Sequence, residues 1–123
     1  MIKRHIDSPE RIPVTAGQKT EMQMLISPGE APHFAMRRFT IHPGGFMPMH
    51  TNTVEHEQLV LDGEAEVIID GQKHHMRKDD VVFIPAGVPH SYRTIGDRPF
   101  VFLCMVPNQQ DTITLLEAQD KNE

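Results

Sequence analysis

Turn-forming residues recur through the middle of this 123-residue chain at the spacing expected of short strands. Pro28-Gly29, Pro43-Gly44-Gly45, Asp62-Gly63, Asp70-Gly71, Ala86-Gly87 and Gly96-Asp97 punctuate its middle. Between them lie β-branched and aromatic segments, of which Val67-Ile68-Ile69 and Val81-Val82-Phe83-Ile84 are the clearest. That pattern predicts short strands packed as a sandwich or barrel. Strands are expected near residues 23–26, 34–41, 46–50, 56–61, 64–69, 72–76, 81–84, 90–93 and 100–106. The two Asp-Gly pairs suit the positive φ of a type I′ turn and predict tight hairpins. Before residue 110 no apolar positions repeat at helical spacing, so the chain reads as almost entirely β. The tail from Gln109 is polar apart from Ile113, Leu115 and Leu116, and is open to an edge strand, a short helix or fraying.

So many strands in so short a chain leave exposed edges, and closure into a barrel or jelly roll removes them. A single domain over residues 1–123 is expected, with its barrel core near 33–106 and peripheral segments at both ends. A net charge of −5 argues against a nucleic-acid footprint. No apolar run reaches the roughly 20 residues of a membrane-spanning helix. The N-terminal residues are charged and carry no signal core, which leads to the expectation of a cytoplasmic protein. A lone cysteine, Cys104, excludes an intrachain disulfide and a multi-cysteine zinc site.

Histidine is abundant, at 8 residues, and three of the eight fall where strands could aim them together. His50 and Asn52 lie two apart on a strand end, so they share a face. If His56 points inward, Gln58 and Val60 follow it, while Glu55 and Glu57 face out as solvated charges. His90 follows Pro85-Ala86-Gly87-Val88-Pro89, a rigid turn able to fix one imidazole. Neutral imidazole is the commonest protein metal ligand, so three of them inside a barrel would make a metal site. His5, His33, His42, His74 and His75 lie outside this pattern and read as surface residues.

These segments resemble the cupin superfamily. Its first motif has a Gly, a His-x-His pair, a Glu or His three or four residues on, and a later Gly; here it runs from Gly45 through His50, Asn52 and His56 to Gly63. The second motif runs from Asp79 to Thr94, with Pro85, Gly87 and His90 in place. The chain looks closest to small single-domain bacterial cupins of the cupin 2 type that carry a four-histidine manganese site and a closing Phe-Leu-Cys run, here Phe102-Leu103-Cys104. The resemblance implies a double-stranded β-helix, that is, a jelly-roll barrel. It also implies a site made of His50, Asn52, His56 and His90 for one divalent transition metal per subunit. Manganese or iron is favoured; nickel, copper or zinc can occupy the same ligands. Asn52 replaces the second His of the pair, and an amide oxygen is a weaker ligand than imidazole. It would ligate weakly, ligate through water, or leave a position open. Asp79 and Thr94 replace a motif Gly and Asn outside the ligand set.

The same resemblance turns Arg37, Phe102 and Cys104 toward the pocket; Gln58 joins them by parity with His56, and Met47 reads as core or pocket lining. Arg37 would hold a substrate carboxylate, or else form a salt bridge with a surface acid. Gln58 would hydrogen-bond behind the ligands, and Cys104 reads first as a small buried hydrophobe. Three neutral ligands leave a divalent ion its full charge, which suits a dioxygenase acting on a small molecule. The alternative is a binding or sensor module with a structural metal, since no side chain stands out as an acid or base. An isomerase ranks last for the same reason. Leu59 and Leu61 face outward, and family members of this kind dimerise, so a homodimer is expected.

Overall fold

The computed structural model describes residues 1–116. It contains ten strands and, among the described residues, no helix: β1 (Ile12–Pro13), β2 (Gln18–Ile26), β3 (Phe34–Asn52), β4 (His56–Asp62), β5 (Glu64–Ile69), β6 (Gln72–Arg77), β7 (Val81–Ile84), β8 (His90–Ile95), β9 (Phe100–Pro107) and β10 (Ile113–Leu115). They form one curled antiparallel sheet whose main path runs β6-β5-β8-β3-β9-β4-β7, a single-domain jelly-roll barrel. The tail supplies an edge strand, with Ile113 opposite Asn52.

β3 organises the barrel. Residues 34–41 pair with β9 and β2, and residues 46–50 pair with β8. Pro43-Gly44-Gly45 does not separate two strands, as the sequence suggested, but bends one strand of 19 residues. Gly44 takes φ +81° there, which lets the chain turn a corner while staying in the sheet. One curved strand thereby joins both walls.

The two Asp-Gly pairs behave differently. Asp70 (φ 52°) and Gly71 (φ 79°) close the expected hairpin between β5 and β6. Asp62-Gly63 does not close a hairpin: β4 pairs with β7 and β9, whereas β5 pairs with β6 and β8. Gly63 is required for another reason. At φ +75° it passes so close to the chain that an added Cβ would lie 2.0 Å from the Pro99 carbonyl oxygen. An Asp-Gly pair reports positive φ, and positive φ serves a crossing between walls as well as a hairpin. Asp79 also sits at φ 75°, the conformation glycine adopts without strain.

Alternation along the strands fills the interior. The core joins Ile41, Met47, Val60, Ala65, Val67, Met76, Tyr92, Phe100, Phe102 and Cys104. Phe102 stacks between Phe39 (5.2 Å) and Tyr92 (5.1 Å), so three strands meet through one aromatic column. Thr94 Oγ1 donates to the Ile41 carbonyl at 2.8 Å, which ties β8 to the bend of β3. This packing leaves one end of the barrel interior unfilled, between β3, β4, β8 and β9.

Candidate metal and ligand site

That space is a cavity of about 190 Å³, and all nine residues singled out from the sequence line it: Arg37, Met47, His50, Asn52, His56, Gln58, His90, Phe102 and Cys104. Strand periodicity explains most of this. On β4, His56, Gln58 and Val60 are buried while Leu59 and Leu61 are only half-buried, as alternation requires. β3 needs a further device. Its pairing with β8 shifts register between Met47 and His50. The irregularity changes parity, so Met47 and the even-numbered pair His50 and Asn52 all face the cavity.

Each histidine is prepared differently. His50 Nδ1 lies 2.8 Å from the Pro48 carbonyl oxygen, and His90 Nδ1 lies 3.0 Å from that of Val88. A carbonyl only accepts, so both Nδ1 atoms donate, and Nε2 keeps the lone pair in each neutral ring. His56 has no hydrogen-bond partner on either ring nitrogen, and His90 Nε2 has none either. The His50 and His90 ring centroids are 4.2 Å apart, and those of His56 and His90 are 5.8 Å apart. Burial lowers all three pKa values, His56 to about 3 and His90 to about 4. The Arg37 charge adds to the effect on His56, and His50 adds to that on His90. At neutral pH the cavity therefore holds three uncharged imidazoles.

Asn52 is 5 % exposed, and its Nδ2 donates to Asp111 Oδ2 at 3.0 Å. A carboxylate accepts only, so the amide cannot be flipped, and Oδ1 is left buried without a partner. Deeper in, Gln58 Nε2 donates to Tyr92 Oη at 2.7 Å, and Arg37 Nη2 lies 3.3 Å from Cys104 Sγ. Arg37 also lies 5.1 Å over the Phe39 ring and pairs with no carboxylate among the described residues. The surface salt bridge considered from the sequence is therefore absent there. Burial pushes the Cys104 thiol up, so it stays protonated and packs as a small core residue. Burial raises Tyr92 as well.

Burying unpartnered polar atoms costs free energy, so the orphans on His56, His90 and Asn52 point to something that would satisfy them. Their type, neutral nitrogen and amide oxygen, fits a divalent transition ion. The set is gathered rather than closed. Among the described residues no three His, Cys, Asp or Glu side chains already stand in ligating geometry. His56, held by no hydrogen bond, is the ring most able to turn.

His5, His33, His74 and His75 are exposed, and His42 is half-buried with Nε2 3.0 Å from Glu21 Oε1. Glu55 is exposed and Glu57 half-buried outside the cavity. Val60 packs in the core rather than lining the cavity. Sequence reasoning missed Phe39, Tyr92 and the peripheral residues Val14, Ala16, Met22 and Ile113, which also line it. Tyr92 was within reach, because it shares strand parity with His90. Asp111 was also missed, and no local signal marks it.

Comparison with known proteins agrees with this architecture. The chain is 26% identical to the polyketide cyclase RemF from Streptomyces resistomycificus, with a TM-score of 0.87 over 96% of this chain and 87% of that one. It is 45% identical over 56 residues to quercetin 2,3-dioxygenase of Bacillus subtilis, covering 45% of this chain and 17% of the relative. It is 32% identical over 62 residues to gentisate 1,2-dioxygenase of a Ralstonia species, covering 50% of this chain and 18% of the relative. The chain spans at most 49% of the length of the curated relatives it matches. A family described as Cupin domain matches residues 37–106, which contain both walls of the cavity and all three buried histidines, and the chain belongs to that family.

Proposed function

We propose that the protein is a mononuclear metal-binding cupin that oxidises a small molecule with dioxygen. One observation carries this reading: buried, uncharged donor atoms of His56, His90 and Asn52 lack partners in a cavity walled by Phe39, Phe102 and Met47. His50 completes the donor set, with manganese or iron as the working ion and nickel, copper or zinc able to take its place. Bound there, such an ion supplies Lewis-acid and redox chemistry toward dioxygen and a coordinating substrate. The chain's own residues orient the donors through Pro48 and Val88, exclude water with the aromatic column, and present Arg37 to an anionic group on the substrate. The dioxygenase relatives support the reaction class.

Metal content of protein purified without chelators, followed by oxygen uptake across small phenols, diketones and thiols, tests the reading. Uptake that requires the metal is expected. Asn52→His is expected to tighten manganese binding roughly tenfold or more, since imidazole is the stronger ligand. It should also slow oxygen uptake, because it takes coordination room that dioxygen or substrate would use. Weaker binding with faster uptake would reverse the role given to Asn52.

A second reading is binding without turnover. It is favoured by the chemistry of the deeper cavity, where the Cys104 thiol and the Tyr92 hydroxyl are both held protonated by burial. No side chain there serves as an acid or base near neutrality. Metal retention with no oxygen consumption and no conversion of any panel compound, an aromatic polyketide included, would select it.

A homodimer belongs to the same proposal. Leu59 and Leu61 face outward beside Val81 and Phe83, which are 75 % and 54 % exposed, and such a strip tends to be covered. Light scattering that returns the mass of one chain would remove the dimer.

A further inference from the structure

We propose that Asp111 is the positioning residue of the site: it clamps the Asn52 carboxamide so that Oδ1 is presented to the ion. The proposal rests on the metal-binding reading above and adds a residue that neither motif contains.

The clamp is built from both carboxylate oxygens. Oδ2 accepts from Asn52 Nδ2 at 3.0 Å, while Oδ1 accepts from the Thr53 backbone amide at 2.9 Å and from Thr53 Oγ1 at 3.3 Å. Thr53 Oγ1 accepts in turn from the Thr112 amide at 2.8 Å. Strand pairing of Ile113 with Asn52 holds the two segments in register. A carboxylate with its acceptors so engaged has one orientation to offer.

Two consequences follow for Asn52. Its amino group is committed to Asp111, so only oxygen faces the cavity, and only oxygen can ligate a cation. Donation to an anion also draws electron density toward Oδ1 and makes it a stronger donor. Carboxylates behind ligating histidines act in the same way. Here the partner is an amide, and the clamp offsets part of what the amide lacks against imidazole. Asp111 also places a negative charge near the three imidazoles, where a cation would sit, and at His56 its effect opposes that of the Arg37 charge.

The test is manganese(II) affinity by chelator competition for the wild type, Asp111→Asn, Asn52→Ala and the double variant, with His56→Ala as control. Asp111→Asn is expected to weaken binding by about 10–100-fold. In the Asn52→Ala background the same change should cost only a few-fold, because the charge then acts alone. A second readout needs no metal. The Asn52 side-chain NH2 resonances of the metal-free wild type should exchange slowly, and Asp111→Ala should remove that protection. Wild-type affinity in Asp111→Asn, with binding lost in His56→Ala, overturns the clamp and leaves the metal site standing. Equal losses in both backgrounds show that Asp111 does not act through Asn52, and overturn it too. Fast-exchanging Asn52 NH2 resonances in the wild type overturn it without any variant. Failure of the wild type to bind manganese or iron overturns both proposals together.

Discussion

His56→Ala is expected to lose metal by more than about a hundredfold in affinity while the barrel stays folded. A first-coordination bond is worth more than the 10–100-fold typical of the groups behind it. The fold should tolerate the change because His56 contributes little to it. Its two ring nitrogens are buried without partners, and unmade hydrogen bonds cost about 1–3 kcal/mol. Removing them offsets much of the packing lost with the ring. The metal-free variant should therefore unfold within about 1–2 kcal/mol of the wild type. His50→Ala and His90→Ala should lose metal to the same extent. Each also strands a backbone carbonyl, of Pro48 or Val88, and should cost about 1 kcal/mol more. Metal content after dialysis against limiting manganese, with urea unfolding in parallel, checks all three. Full metal content in every variant would remove the site from these residues.

Why three histidines were legible and one aspartate was not has a physical answer. Strand alternation is local, so once His56 points inward, Gln58 must follow and Glu57 cannot. The Pro85–Pro89 turn is equally local, and it delivers His90 to its position. Other parts of the site depend on contacts distant in sequence. The register shift after Met47 sets the direction of His50 and Asn52, and it exists only because β8 pairs there. Asp111 meets Asn52 across 59 residues, from a polar tail whose own composition allowed strand, helix or fraying. What decided for a strand was pairing with β3. The misread turns follow the same rule. Pro43-Gly44-Gly45 and Asp62-Gly63 announce a backbone conformation correctly, but whether that conformation bends a strand, crosses between walls or closes a hairpin is settled by partners elsewhere.

The second large effect is on acid stability. Metal-free protein is expected to lose about 4 kcal/mol of stability between pH 8 and pH 5 from His56 and His90 alone. Their folded pKa values, about 3 and about 4, lie below the ordinary histidine value of about 6.5 that the unfolded chain recovers. A depressed folded pKa means that the unfolded state binds the extra proton. The stabilisation is complete above about pH 6.5 and drains away as pH falls toward 4, with a limiting slope of about 1.4 kcal/mol per pH unit for each ring. His50, lowered in the same direction, adds to the slope. The carboxylates with lowered pKa values, Asp7, Glu21, Glu30 and Asp62, act in a more acidic window, below about pH 4.5. Loss between pH 6.5 and 5 is therefore a signature of the cavity. Removing one ring in His56→Ala should make the slope shallower by about one proton, whatever part of the expected ~1–2 kcal/mol the variant has lost at pH 8. Saturating manganese should raise stability at neutral pH and steepen the fall, because protons then compete with the ion for the same nitrogens. Urea midpoints of metal-free protein at a series of pH values decide the matter. A stability that stays flat from pH 7 to pH 5 would mean that the imidazoles are hydrated and titrate normally. The unpartnered nitrogens would then be satisfied by water, and the strongest physical reason for placing an ion among them would be gone.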